Sequence, residues 1–69
     1  MLFTDLSSER VVKALSKVGF RIIRQGQHIG MSDGTHYLTI PRHKRVNPYT
    51  LRGLIRDAGL TEEEFETLI

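Results

Sequence analysis

Between Gly26 and Ile40 two short runs of alternating apolar and polar residues flank Asp33-Gly34. Asp-Gly between such runs is the strongest short-range signal for a β-hairpin, because a type I′ turn needs positive φ at both central positions. A two-residue turn there sets Ser32 against Thr35, Met31 against His36, Gly30 against Tyr37, Ile29 against Leu38 and His28 against Thr39. Side chains alternate along a strand, so Ile29, Met31, Leu38 and Ile40 share one face while His28, Gly30, Tyr37 and Thr39 share the other. The first face reads as core. The second is open, with a glycine over which the Tyr37 ring can lie.

Phe20-Arg21-Ile22-Ile23-Arg24-Gln25 is rich in β-branched and aromatic residues and reads as a preceding strand, turning through Gln25-Gly26. A second two-residue turn pairs Arg24 with Gln27, Ile23 with His28, Ile22 with Ile29, Arg21 with Gly30 and Phe20 with Met31. Phe20 and Ile22 then join the core face, and Arg21 and Ile23 join the open face beside His28. The two turns agree on one core face for a three-stranded meander.

Helices flank the meander. Ser7 or Ser8 caps the first, whose apolar positions Val11, Val12, Leu15 and Val18 form one stripe ended by Gly19. Pro41 ends the third strand, because it has no N–H for a ladder, and the basic loop Arg42-His43-Lys44-Arg45 follows. Asn47-Pro48 opens the second helix as N-cap and first helical residue, with Leu51, Leu54, Ile55 and Ala58 inward and Gly59 closing it. Thr61 and Glu64 make a capping box for a short terminal helical turn, with Phe65, Leu68 and Ile69 inward. The order α-β-β-β-α describes an α+β fold, a two-layer sandwich with both helices on one sheet face and the other face free.

At 69 residues the chain is expected to be one domain, spanning 1–69. A domain of that size buries only about 60% of the surface its unfolded chain exposes, so every helix must press on the same small core. Cysteine is absent, which excludes disulfides, thiolate metal sites and thiol nucleophiles together. The start, Met1-Leu2-Phe3-Thr4-Asp5, lacks the features of a signal peptide, and no apolar run approaches the ~20 residues of a membrane span. Cytoplasm is the expected location. The net charge of +2 hides an asymmetry: residues 1–56 hold all ten Lys and Arg against three acids, and residues 57–69 hold five acids and no cation. A basic body suits a polyanionic partner, and it is equally what an ordinary solvated surface looks like.

Several residues in this pattern can carry chemistry. Histidine is the side chain that gives and takes protons near neutral pH, and His28 falls on the open face; on spacing alone, an exposed strand histidine with no role is the leading reading. His36 lies beside the turn and closes the edge of the core. A metal site built from His28, His36 and His43 is disfavoured, because Asp33 is the one carboxylate nearby and the predicted faces differ.

The strings Val18-Gly19-Phe20, Gly26-Gln27-His28, Ile40-Pro41-Arg42-His43, Pro48-Tyr49-Thr50-Leu51 and Ala58-Gly59-Leu60 together resemble the HicA toxin family of bacterial and archaeal toxin–antitoxin pairs, over nearly the whole chain. The resemblance implies a double-stranded-RNA-binding-domain-like fold. It also implies ribonuclease activity on mRNA without a metal or small-molecule cofactor, and a cognate HicB antitoxin. In the family the second strand opens with Gly-Ser-His, and its catalytic histidine matches His28. Gln27 stands where serine is usual, Gly30 where a bulkier residue is common, and Tyr49 where glycine is common.

Under that resemblance Arg21, Arg24, Gln27, Tyr37 and the loop residues Arg42, His43, Lys44 and Arg45 are the expected RNA contacts. Cations at strand ends equally deter edge-to-edge aggregation, and His43 equally fits an ordinary solvated loop. A non-catalytic RNA-binding module and a pure protein-interaction domain are the two other classes the residues allow.

Overall fold

A computed structural model describes residues 3–69. The elements run α1 (Ser8–Ser16), β1 (Arg21–Gln25), β2 (His28–Ser32), β3 (Tyr37–Pro41), α2 (Pro48–Asp57) and α3 (Glu62–Glu66). The strands form one antiparallel sheet in the order β1-β2-β3, and α1 and α2 both pack against β3. This is the two-layer αβββα sandwich of the double-stranded-RNA-binding-domain kind, with α3 as the terminal helical turn.

The helix starts follow from their caps. Ser7 accepts from the Arg10 N–H at 3.3 Å, and the Asn47 side chain accepts from Tyr49 N–H at 2.8 Å and Thr50 N–H at 3.3 Å, with Pro48 in the first turn. In α3 the Thr61 hydroxyl takes the Glu64 N–H at 3.1 Å while the Glu64 carboxylate takes the Thr61 N–H at 2.9 Å, a complete capping box. Gly19, at φ +97°, and Gly59, at φ +78°, reverse the chain after α1 and α2, a conformation that a Cβ would penalise.

Helix α1 ends at Ser16, so Val18 falls in the turn beyond it and is 41% exposed rather than core; Ala14 fills the inner position instead. Ile69 is likewise 41% exposed, whereas Phe65 is fully buried and Leu68 packs partly against the core. Phe3, Leu6 and Val46 complete the core from outside any periodic segment. Two backbone bonds draw them in, Val46 N–H to Leu6 carbonyl at 2.7 Å and Ser8 N–H to His43 carbonyl at 3.0 Å.

Both strand registers differ from the expected ones. Ser32 pairs with Tyr37, Met31 with Leu38, Gly30 with Thr39, Ile29 with Ile40 and His28 with Pro41. The connection is therefore four residues long, because only Gly34 has positive φ (+96°) and Asp33 does not, which rules out type I′. The Asp33 carboxylate instead gathers the N–H groups of Thr35 at 2.8 Å and His36 at 2.6 Å. A shift of two residues preserves the faces: Ile29, Met31, Leu38 and Ile40 are all buried.

Between β1 and β2 the pairs are Arg21–Ser32 and Ile22–Met31, then Arg24–Gly30 and Gln25–Ile29, which leaves Ile23 unpaired in a bulge. One extra residue reverses the alternation beyond it. Arg24 therefore reaches the open face, a position the unbulged register denies it, and Ile23 is not the cross-strand partner of His28. The burial expected of Ile22 is incomplete, since edge strand β1 leaves it 42% exposed. Phe20, just before β1, is buried as expected.

Candidate nucleic-acid site on the open sheet face

The true registers arrange the open face in rows across the sheet: Arg21, Ser32 and Tyr37 in one, Arg24, Gly30 and Thr39 in the next, His28 and Pro41 in the last. A cleft of about 370 Å³ runs over the last two rows, lined by Arg24, Gly26, Gln27, His28, Gly30, Tyr37 and Thr39. His28, Arg24, Gln27 and Tyr37, four of the expected site residues, thus meet in one concavity. The residues lining it include a cation and no carboxylate.

Tyr37 enters the cleft diagonally. A Cβ built on Gly30 would lie 2.7 Å from the Tyr37 hydroxyl oxygen, 3.3 Å from its Cζ and 3.2 Å from Arg24 Cβ. Hence the absent side chain at Gly30 is what lets the phenol lie down on the sheet. The expected direct pairing of Tyr37 with Gly30 is replaced by this diagonal reach, yet the ring does cover the glycine.

The basic loop is placed elsewhere. Arg42 continues the β3 alternation on the parity opposite His28, and its Nε–H donates to the Gly26 carbonyl at 2.7 Å and its Nη2 to Gln25 Oε1 at 3.2 Å. It ties the β1–β2 turn, and so the backbone on which Gln27 and His28 sit, to the end of β3. His43 and Lys44 line a separate concavity with Ser7, Ser8 and Glu9 at the start of α1. Arg45 pairs with Asp5 at 3.2 Å, both well exposed, an ion pair worth little in water. Arg21 shares the open face one row beyond Arg24 and is not part of the cleft wall.

At the far end of the hairpin, His36 Nδ1 lies 3.1 Å from Asp33 Oδ2. The His36 N–H, the Thr35 N–H and then the His36 ring hold the Asp33 carboxyl down at about 2. His36 also stacks obliquely near Phe20, with ring centroids 6.3 Å apart, so it does close the core edge. Among the described residues no three His, Asp or Glu side chains converge as a metal site. No described helix is long and apolar enough to cross a membrane.

Sequence reasoning placed Gly30 and Thr39 on this face without marking them as part of the site. The bulge at Ile23, which delivers Arg24 to the cleft, left no signal beyond two adjacent isoleucines. A family model described as the HicA toxin of bacterial toxin–antitoxin systems matches residues 8–60, which takes in α1, the whole sheet and α2. Among curated proteins none matches the sequence.

Proposed function

The chain belongs to the HicA toxin family of toxin–antitoxin pairs, and from that premise we propose that it is an endoribonuclease that cleaves mRNA at His28, needs no metal, and is silenced by a HicB-type antitoxin. The observation that supports this reading is the cleft itself. His28 stands on a rigid strand beside Arg24 and the Tyr37 phenol, with no carboxylate lining the wall to repel a phosphate.

Cleavage by internal attack forms a bond from the 2′-oxygen to phosphorus and breaks the bond from phosphorus to the 5′-oxygen. The imidazole of His28 accepts the 2′-hydroxyl proton as the attack proceeds, and water protonates the leaving 5′-oxygen. One positioned proton transfer contributes roughly 10²- to 10⁴-fold in rate. Arg24 supplies positive charge against the phosphorane. Arg21, Gln27, His43, Lys44 and Arg45 extend the RNA contacts on either side, while Arg42 serves by fixing the turn beneath Gln27 and His28.

The antitoxin is expected on the same face. Tyr37, 55% exposed, lines the cleft with Arg24, and Ile23, 58% exposed, precedes Arg24 in the bulge; aromatic and arginine anchors carry much of the energy of protein interfaces. The test is incubation of the purified chain with single-stranded mRNA, with and without EDTA. The reading requires fragments with 2′,3′-cyclic phosphate and 5′-hydroxyl ends in both, and their suppression by the cognate antitoxin. RNA bound but intact points to the binding module, and activity that EDTA removes and a divalent ion restores points to metal chemistry.

A further inference from the structure

We propose that Tyr37 and Arg24 form a phosphate seat whose existence depends on Gly30 having no side chain. The inference rests on the nucleic-acid reading of the cleft and adds to it a division of labour: His28 moves a proton, and the row beside it holds the phosphate.

The geometry is specific. The point where a Cβ on Gly30 would stand is 2.7 Å from the Tyr37 hydroxyl and 3.2 Å from Arg24 Cβ, so the phenol tip lies over the spot beside which the Arg24 side chain leaves the backbone, and both side chains line the cleft. Gly30 and His28 are two residues apart on β2 and on the same face, which places that spot about 7 Å along the strand from the His28 backbone. Among the described residues the Tyr37 hydroxyl has no hydrogen-bond partner, and Tyr37 is 55% exposed in the cleft wall, so its proton is available to a ligand oxygen. Arg24 brings the charge and Tyr37 a neutral donor; the first gives affinity for any phosphate, the second fixes where that phosphate sits.

Two further observations favour a seat over a chance contact. The bulge at Ile23 is what turns Arg24 to this face, and bulges characteristically re-aim a side chain. Glycine in the middle of a strand is unfavourable by roughly 0.5–1 kcal/mol relative to alanine, so its presence in the central strand calls for a close approach by something else. The approaching group is the Tyr37 phenol.

The seat makes Gly30→Ala and Tyr37→Phe the same lesion reached from two sides, because an added methyl expels the hydroxyl that the second variant deletes. The measurement is binding of a 2′-deoxy single strand, which lacks the internal nucleophile, alongside cleavage of the matching RNA. Each variant should weaken deoxy-strand binding by about tenfold to a hundredfold, the effect of losing a hydrogen bond to a charged group. The double variant should be no weaker than either single one. Tyr37→Phe removes one oxygen from a half-exposed side chain and leaves the fold intact, so it carries the test if Gly30→Ala does not fold.

Unchanged binding in Tyr37→Phe overturns the seat, as does a Gly30→Ala effect that adds in full to it, even if the parent cleaves RNA. A parent that binds the deoxy strand with this coupling but never cleaves RNA keeps the seat and ends the ribonuclease reading. A parent that neither binds nor cleaves ends both.

Discussion

Phe65→Ala tests whether the terminal turn is part of the cooperative fold, since α3 lies beyond the residues that the family model matches. Phe65 is fully buried, with its ring edge-on to Phe3 at a centroid distance of 5.4 Å and an interplanar angle of 72°. Truncating a buried phenylalanine costs about 3–5 kcal/mol, which includes the forfeited transfer energy and a cavity that neighbours fill only in part. The edge-to-face pair with Phe3 favours the upper half of that range. A domain of this size has a total stability of roughly 3.5–10 kcal/mol, so about 4 kcal/mol removes at least about two-fifths of it. At about 4–8 °C per kcal/mol, Tm should fall by roughly 16–32 °C in a far-ultraviolet circular dichroism melt. Ile69→Ala is the control: its side chain is 41% exposed, and its melt should move by only a few degrees. A fall below about 5 °C in Phe65→Ala would refute the reasoning, and so would an unchanged urea midpoint with a reduced m-value, which would mean that α3 detaches while the rest stays folded.

The turn carboxylate gives a pH signature. Asp33 is held down at about 2 from an ordinary 3.8, first by the His36 N–H and then by the Thr35 N–H and the His36 ring, so its contribution to stability is complete above 3.8 and is lost as pH falls from there toward 2. The difference in Tm between the parent and Asp33→Ala should therefore be largest near pH 6 and shrink across that window; a difference that stays constant would contradict the assignment. For the basic loop, replacing Lys44 and Arg45 with alanine should make log K against log salt shallower by roughly 0.7 for each phosphate of a single strand that is no longer neutralised. An unchanged slope and affinity would show that the loop, which lies away from the cleft, does not touch RNA.

Which parts of this were legible in the sequence follows from what each signal constrains. Caps are local, so Ser7, Asn47-Pro48 and the Thr61–Glu64 box were readable residue by residue. Face assignment depends only on parity, which is why Ile29, Met31, Leu38 and Ile40 were placed correctly even though the hairpin loop is four residues and every partner moved by two. The loop length was missed because Asp-Gly suits several turns, and the choice went to the one in which the Asp33 side chain satisfies Thr35 and His36. Parity fails at a bulge, so Arg24 was paired with Gln27 rather than Gly30 and Ile23 was given a partner it lacks. The core roles of Phe3, Leu6 and Val46 arise from packing between segments distant in sequence, which no periodicity records. Arg42 looked like another loop cation; its bonds to Gly26 and Gln25 exist only once β1 and β3 are brought to the same end of the sheet.

The most direct measurement is the rate of RNA cleavage by His28→Ala. His28 is exposed on the sheet and supports no part of the core, so the variant should keep the parent's melting temperature and nearly all of its affinity for a 2′-deoxy strand. Cleavage should fall by roughly 10²- to 10⁴-fold, the share of a positioned proton transfer. Parental cleavage rates in a folded His28→Ala protein would contradict the account and remove His28 from the reaction.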